Sequence, residues 1–231
     1  MNRRLFALII PLCGAALFAR LGFWQLSRLA ERRAFNATLL KRLDSPPVDI
    51  AGLPRDTADA HYRRVTLHGA WLYDKEFLWA GRTRNGSPGV NFLTPLKVDG
   101  RDSVIIVNRG WAYSPDATTI DNSRWRDGDS STIAGYVETW RPERTAASNA
   151  TPRVRTVFTL AHQAIAASIG LPVASYVVVQ TSDSVAKPDS VPVRLVYPAL
   201  DEGSHENYAI QWFSFATIAL VGGVALYRRS R

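Results

Sequence analysis
From Leu5 to Leu26, and again from Tyr208 to Tyr227, nearly every position is apolar, and between these two blocks the pattern turns to alternation and polar turns. The second block carries no charge, and about 20 residues at roughly 1.5 Å each cover the ~30 Å of a bilayer's hydrocarbon core. It reads as a transmembrane helix. Arg228, Arg229 and Arg231 follow it, while Asp201, Glu202 and Glu206 precede it, so the positive-inside rule puts the C-terminus in the cytoplasm or its organellar equivalent. The first block is long enough to span if Arg20 snorkels to the outer headgroups and Trp24 sits in the interface. An uncleaved anchor is expected, not a signal peptide. The implied partition is a cytoplasmic N-terminus (1–4), a first span (5–26), an extracytoplasmic domain with a helical entry (27–206), a second span (207–227) and a cytoplasmic tail (228–231).

Trp24, Arg28 and Arg32 recur at i, i+4 and i+8, which places them on one stripe of the continuing helix, either as a headgroup anchor or as a docking face. Ser45-Pro-Pro-Val ends that helix, and residues 52–60 read as a polar loop. Beyond His61 the period is two. Strands are expected at 62–68, 76–80, 90–98, 103–111, 132–138, 175–180 and 192–197, with a turn-rich loop at 82–89 and a tight hairpin at Asp99-Gly100. Pro95 implies an edge or a bulge, and the continuous apolar run of 103–111 implies a central strand that turns at Gly110, with φ > 0 there. Leu160 to Ile169 is expected as a short helix stopped by Gly170. The fold class is an α+β membrane protein in which two terminal transmembrane helices flank a mostly antiparallel β domain, a sheet or small barrel, with one short helix. Residues 115–131 and 152–158 carry no readable signature.

Basic residues outnumber acidic ones 28 to 20, and 24 of the 28 are arginine, scattered rather than clustered. That distribution suits lipid headgroups or carboxylate-bearing ligands, and no nucleic-acid partner is expected. The single cysteine, Cys13, excludes an internal disulfide or a thiolate metal site. No catalytic or nucleotide-binding motif is present, so no enzymatic turnover is expected. His61 and His68, seven apart on an extended segment, fall on opposite faces and do not form one metal site, and His162 has no acidic or histidine neighbour one helical turn away. His205 differs, standing at the lip of the second span ahead of Tyr208, Trp212 and Phe213.

Five stretches in order, Leu21-Gly-Phe-Trp-Gln-Leu-Ser-Arg28, Tyr62-Arg-Arg-Val, Gly89-Val-Asn-Phe-Leu-Thr-Pro-Leu96, Val107-Asn-Arg-Gly-Trp111 and His205-Glu-Asn-Tyr-Ala-Ile-Gln-Trp-Phe213, run from the end of the first span to the start of the second. Together they resemble the Surfeit locus protein family of cytochrome c oxidase assembly factors. The resemblance covers nearly the whole chain. It implies an inner-membrane protein that helps oxidase subunit I mature, in concert with the haem a synthesis machinery, and it implies haem a binding through the histidine that matches His205. The short N-terminus without an Arg/Ser-rich presequence points to a bacterial plasma membrane.

Haem a is apolar except for its propionates, so a carrier needs an axial nitrogen, a dry aromatic slot and cations at the membrane surface. His205 is the expected iron ligand, with no other metal site. Trp24, Tyr208 and Trp212 would form the slot, and Arg20 and Arg28 would pair with the propionates. Two other readings stand beside this one. In the first, a structural chaperone docks subunit I through Trp24, Arg28 and Arg32 without binding haem; in the second, the sheet domain is a tethered hydrolase or solute-binding domain, marked by a pocket with convergent polar groups.

Overall fold
The computed structural model describes residues 3–53, 57–126, 128–140, 155–181, 192–198 and 200–229. The chain divides into two compact units, Met1–Lys41 with Ala199–Arg231, and Arg42–Pro198.

The first unit is a pair of long helices. Runs of Leu, Ala, Phe and Arg carry α1, Arg3–Asp44, which tolerates Pro11 in its interior and stops at Ser45-Pro46-Pro47. At the other end of the chain a helix spans His205–Arg229; both helices are long and apolar enough to cross a membrane. Most of their large apolar side chains are exposed, as lipid-facing surfaces require. The buried positions include a seven-residue series, Ala15, Gly22, Leu29 and Asn36 on α1, with Gln25 and Leu39 beside it, and Ala209, Ala216 and Gly223 on the C-terminal helix. Small residues at heptad spacing let two helix backbones approach closely, the packing that holds helices together where no hydrophobic effect operates between them. Phe213 lies against the notch at Gly22, where a Cβ would meet its ring at 2.8 Å.

The second unit holds, in chain order, β1 (Val48–Asp49), α2 (Thr57–Ala60), β2 (Arg64–Trp71), β3 (Phe77–Arg84), β4 (Ser87–Val98), β5 (Val104–Tyr113), β6 (Ser130–Thr139), β7 (Thr156–Val157), α3 (His162–Ile169) and β8 (Val173–Gln180); the C-terminal helix is thus α4. The sheet order is β1-β2-β6-β8-β5-β4-β3-β7, and β2 also pairs with β4. That extra pairing closes β2, β6, β8, β5 and β4 into a small barrel. Most pairs are antiparallel, but β1 with β2, β5 with β8, and β3 with β7 are parallel.

β5 is central, as its apolar run implies, because it is buried on both faces. Ile105 and Val107 join Val65, Leu67, Leu96, Ile133, Val137 and Val178 in one core, whereas Ile106 joins Phe77, Leu93, Ile165 and Val177 beneath α3. Each fully buried aliphatic side chain of this kind contributes about 1.5–3 kcal/mol. α3 ends at Gly170, whose φ of +68° makes a left-handed cap with its N–H on the Ala166 carbonyl.

Several sequence expectations are corrected. Residues 82–89 are not a loop, since β3 runs to Arg84 and Asn85-Gly86, at φ 49° and 79°, form the tight turn of a hairpin. Part of the stretch 52–60 is helical, so the unit has a second short α-helix. Residues 192–197 make isolated bridges, Val193 to Trp111 and Leu195 to Thr181, and no strand. β5 does not end at Gly110. It passes through a bulge, with Leu93 opposite Asn108 and Phe92 opposite Gly110, so that Arg109 is the extra residue. Gly110 does have positive φ, +130°, and a Cβ there would meet the Val193 carbonyl oxygen at 2.5 Å. Pro95 marks where β4 changes neighbour, since Leu93 pairs with β3 and Leu96 with β2, and the missing N–H falls in the gap.

Candidate functional site
The chain enters α4 through a short polar turn. Asp201 Oδ1 accepts the Gly203 N–H at 2.8 Å, Gly203 adopts φ +71°, and the Ser204 carbonyl accepts the first helical bond, from Tyr208. This turn places His205 as the first residue of α4, half-buried against α1.

His205 Nδ1 lies 2.8 Å from Oε1 of Gln25, a side chain buried on the α1 face that meets α4. An amide oxygen can only accept, so Nδ1 donates to it, and Nε2 makes no hydrogen bond to another described residue. Nε2 faces the side-chain-free edge of Gly203, where a Cβ would stand 3.6 Å away. The result is an imidazole held in orientation by a second residue, with its other nitrogen turned toward Gly203.

Above it, a polar clasp ties the two helices. Arg32 Nε donates to the Asp201 carbonyl at 2.8 Å and Asn36 Nδ2 to the same oxygen at 3.3 Å. Arg33 bridges Glu202 at 2.9 Å and Glu206 at 3.2 Å. The hydrogen bond to Glu202 foremost, then its charge, raises the pKa of the already basic Arg33 guanidinium. These ion pairs are exposed, so they fix register more than they stabilise.

The six residues singled out by sequence are distributed along this hairpin. Arg28 stacks its guanidinium over Trp24 at 5.8 Å and pairs with Glu31 at 2.7 Å, and both Arg28 and Trp24 are exposed, as are Arg20 and Tyr208. Trp212 lies two helical turns, about 10 Å, beyond His205. There it stacks on Phe18 at 5.8 Å and forms, with Phe215, Ile218 and Ala219, an apolar groove of about 370 Å³. His205 is therefore joined to α1 through Gln25, whereas Trp212 meets α1 lower down. Arg32, expected on one stripe with Trp24 and Arg28, bonds across to the lead-in of α4. Gly203, Arg33 and Asn36 were not singled out by the sequence pattern, and Gln25 stood in the Leu21–Arg28 stretch beside Trp24 with no role of its own; a glutamine inside an apolar block was the available signal for it.

The other histidines have separate partners. His61 Nε2 meets Glu138 at 2.8 Å and its ring stacks on Tyr62, His68 is near Asp99 at 3.4 Å, and His162 bonds the Val173 carbonyl at 3.1 Å. Among the described residues there is no cluster of three or more metal-ligating side chains.

Comparison with known proteins adds an independent line. Residues 12–217 match the model of the SURF1 family. A SURF1-like protein of Rickettsia bellii is 28% identical over 213 residues, covering 91% of this chain and 86% of its own. One from Mycobacterium bovis is 29% identical over 236 residues, covering 94% and 80%, and one from Monosiga brevicollis is 26% identical over 224 residues, covering 90% and 83%.

Proposed function
Given that the chain belongs to the SURF1 family, a family of cytochrome oxidase assembly factors without catalytic activity, we propose that it holds or presents haem a while subunit I of a haem–copper cytochrome c oxidase matures. The observation that carries this reading is His205, whose Nδ1 is engaged by Gln25 and whose Nε2 is left to the open side of Gly203. Those residues fit a haem ligand set. An imidazole braced at Nδ1 is the arrangement by which proteins orient and tune an axial ligand. When bound, the haem would supply the iron that His205 Nε2 ligates. Arg20 and Arg28 would pair with the propionates, and Trp24, Tyr208 and Trp212 would cover its apolar surface. A single protein ligand leaves the haem readily surrendered, which suits delivery.

The same reading assigns the topology. Residues 5–26 and 207–227 cross a bacterial inner membrane with both termini cytoplasmic and 27–206 periplasmic, supported by Arg228 and Arg229 at one end of α4 and Glu202 and Glu206 at the other. The partners are oxidase subunit I, the haem a synthesis machinery and membrane lipids.

The test is co-expression with haem a synthesis, purification in detergent and a visible spectrum. Wild-type protein is expected to carry a Soret band that His205→Ala abolishes or shifts, while His61→Ala, His68→Ala and His162→Ala keep it. Arg20→Gln and Arg28→Gln are expected to lower occupancy with little spectral change. A colourless wild type, or a His205→Ala protein with the wild-type spectrum, overturns the haem reading. One observation favours a second reading, a chaperone that docks subunit I without haem: Trp24 and Arg28 form an exposed aromatic–cation pair on α1. It predicts that Trp24→Ala with Arg28→Ala impairs oxidase assembly and His205→Ala does not.

A further inference from the structure
The outer wall of the β-barrel carries a concavity of about 660 Å³, within the range of small-molecule sites. It spans neighbouring strands: Trp79 of β3 pairs with Asn91 of β4, Asn91 with Trp111 of β5, Asn108 of β5 with Val179 of β8, and Val179 with Tyr136 of β6. Asn108 and Trp111 are three residues apart, and strict alternation would send them to opposite faces. The bulge at Arg109 brings both to this one.

The chemistry of the wall is unlike that of a packed or merely solvated surface. Asn91 is only 5% exposed and lines the concavity, yet its side-chain amide makes no hydrogen bond to any described residue. Nη1 of Arg84 is likewise buried without a hydrogen-bond partner among the described residues. Three guanidinium groups, Arg82, Arg84 and Arg194, share the lining with one carboxylate, Glu138, which is engaged by His61 at 2.8 Å. The Arg82 guanidinium carbon lies over the Trp79 indole, 4.2 Å from the ring centroid, so cation and aromatic face are presented together. Tyr62, Tyr136 and Trp111 complete an aromatic rim.

We propose that this concavity is a binding site for a small, flat monocarboxylate. The Arg84 fork matches a planar carboxylate bidentately, the aromatic rim matches a flat unsaturated body, and the Asn91 amide supplies one donor and one acceptor for a polar substituent. Glu138 in the same wall disfavours a dianion. The site lies wholly within the β unit and shares no residue with the haem reading, so either stands or falls alone.

Calorimetric titration of the full-length protein in detergent with 2-naphthoate, and with uncharged 2-naphthalenemethanol as the matched body, tests it against a protein-free micelle blank. Saturable one-site binding of the acid is expected, at least tenfold tighter than the alcohol. Arg84→Gln is expected to remove that advantage, Arg84→Lys to restore part of it, and Asn91→Leu to weaken both compounds. Arg84 is partly exposed, so its variants keep the test sharp even if Asn91→Leu lowers the melting temperature. Absence of saturable binding by the acid, equal affinity for acid and alcohol, or wild-type affinity in Arg84→Gln overturns the proposal.

Discussion
Arg109 is a cation with no exposure to solvent. Its Nη1 donates to Glu76 at 2.7 Å and approaches Thr94 at 3.4 Å, Nη2 donates to the Trp125 carbonyl, and the guanidinium sits among the rings of Trp71, Tyr73 and Phe92. Glu76 in turn accepts from Thr94 and from Asn122 at 3.0 Å. Removing one member of such a pair strands the other charge, so Arg109→Met is expected to lower unfolding stability by about 3–5 kcal/mol, and Arg109→Met with Glu76→Leu to recover most of it, by urea titration. The Asn-Arg-Gly break in the β5 run was legible, but it read as a strand end. Only the partner 33 residues away in sequence makes it a buried charge. A second single-residue prediction concerns Asp116, whose carboxylate accepts from the Thr119 and Ser114 hydroxyls and from the N–H groups of Thr119 and Thr118. Those bonds, led by the Thr119 hydroxyl, hold its pKa below the usual carboxylate range. A depressed folded value means the stabilisation is whole above the unfolded pKa of about 3.9 and fades as pH falls toward the folded one. Wild type is therefore expected to melt higher than Asp116→Asn at pH 7, with the gap closing on acidification below about pH 4.

At the scale of elements, sequence read the helices and strands well where one face is distinct or the run is long. It did not show the helix–helix seam, because a membrane helix is apolar all round and hydropathy marks no inner face. The seam is set by volume. Gly22 accepts the ring of Phe213, which also meets Phe23 edge-on at 5.2 Å. Gly22→Val is expected to displace that ring and loosen the hairpin, while Gly14→Val, at a position with nothing within 4 Å of its Cβ, is expected to be silent. Energy transfer between dyes at the two chain ends, at equal expression, reads the difference. The hairpin at Asn85-Gly86 was legible and was obscured by the Ser87-Pro88 that follows; Pro88 is accommodated opposite Thr83 near the start of β4.

For the whole molecule, composition and the two apolar blocks were sufficient for the architecture of terminal helices around a β-rich middle, but not for barrel closure. Closure depends on β2 meeting β4 as well as β6, pairings that alternation alone cannot choose. The bond between Gln25 and His205 joins positions 180 residues apart, which sets an order of events during synthesis. Under the orientation proposed above, α1 enters the membrane before α4, carrying a glutamine whose partner is made 180 residues later. For all that interval the amide has no histidine to bond, and the growing chain carries an incomplete hairpin. A chain stopped after Pro198 is accordingly expected to be retained poorly in membranes and degraded faster than the full chain in a pulse-chase. Gln25→Leu is expected to lengthen the lifetime of that truncated chain while doing nothing for the complete one. Under that orientation, the residue that braces His205 in the finished protein also exposes a chain that ends early.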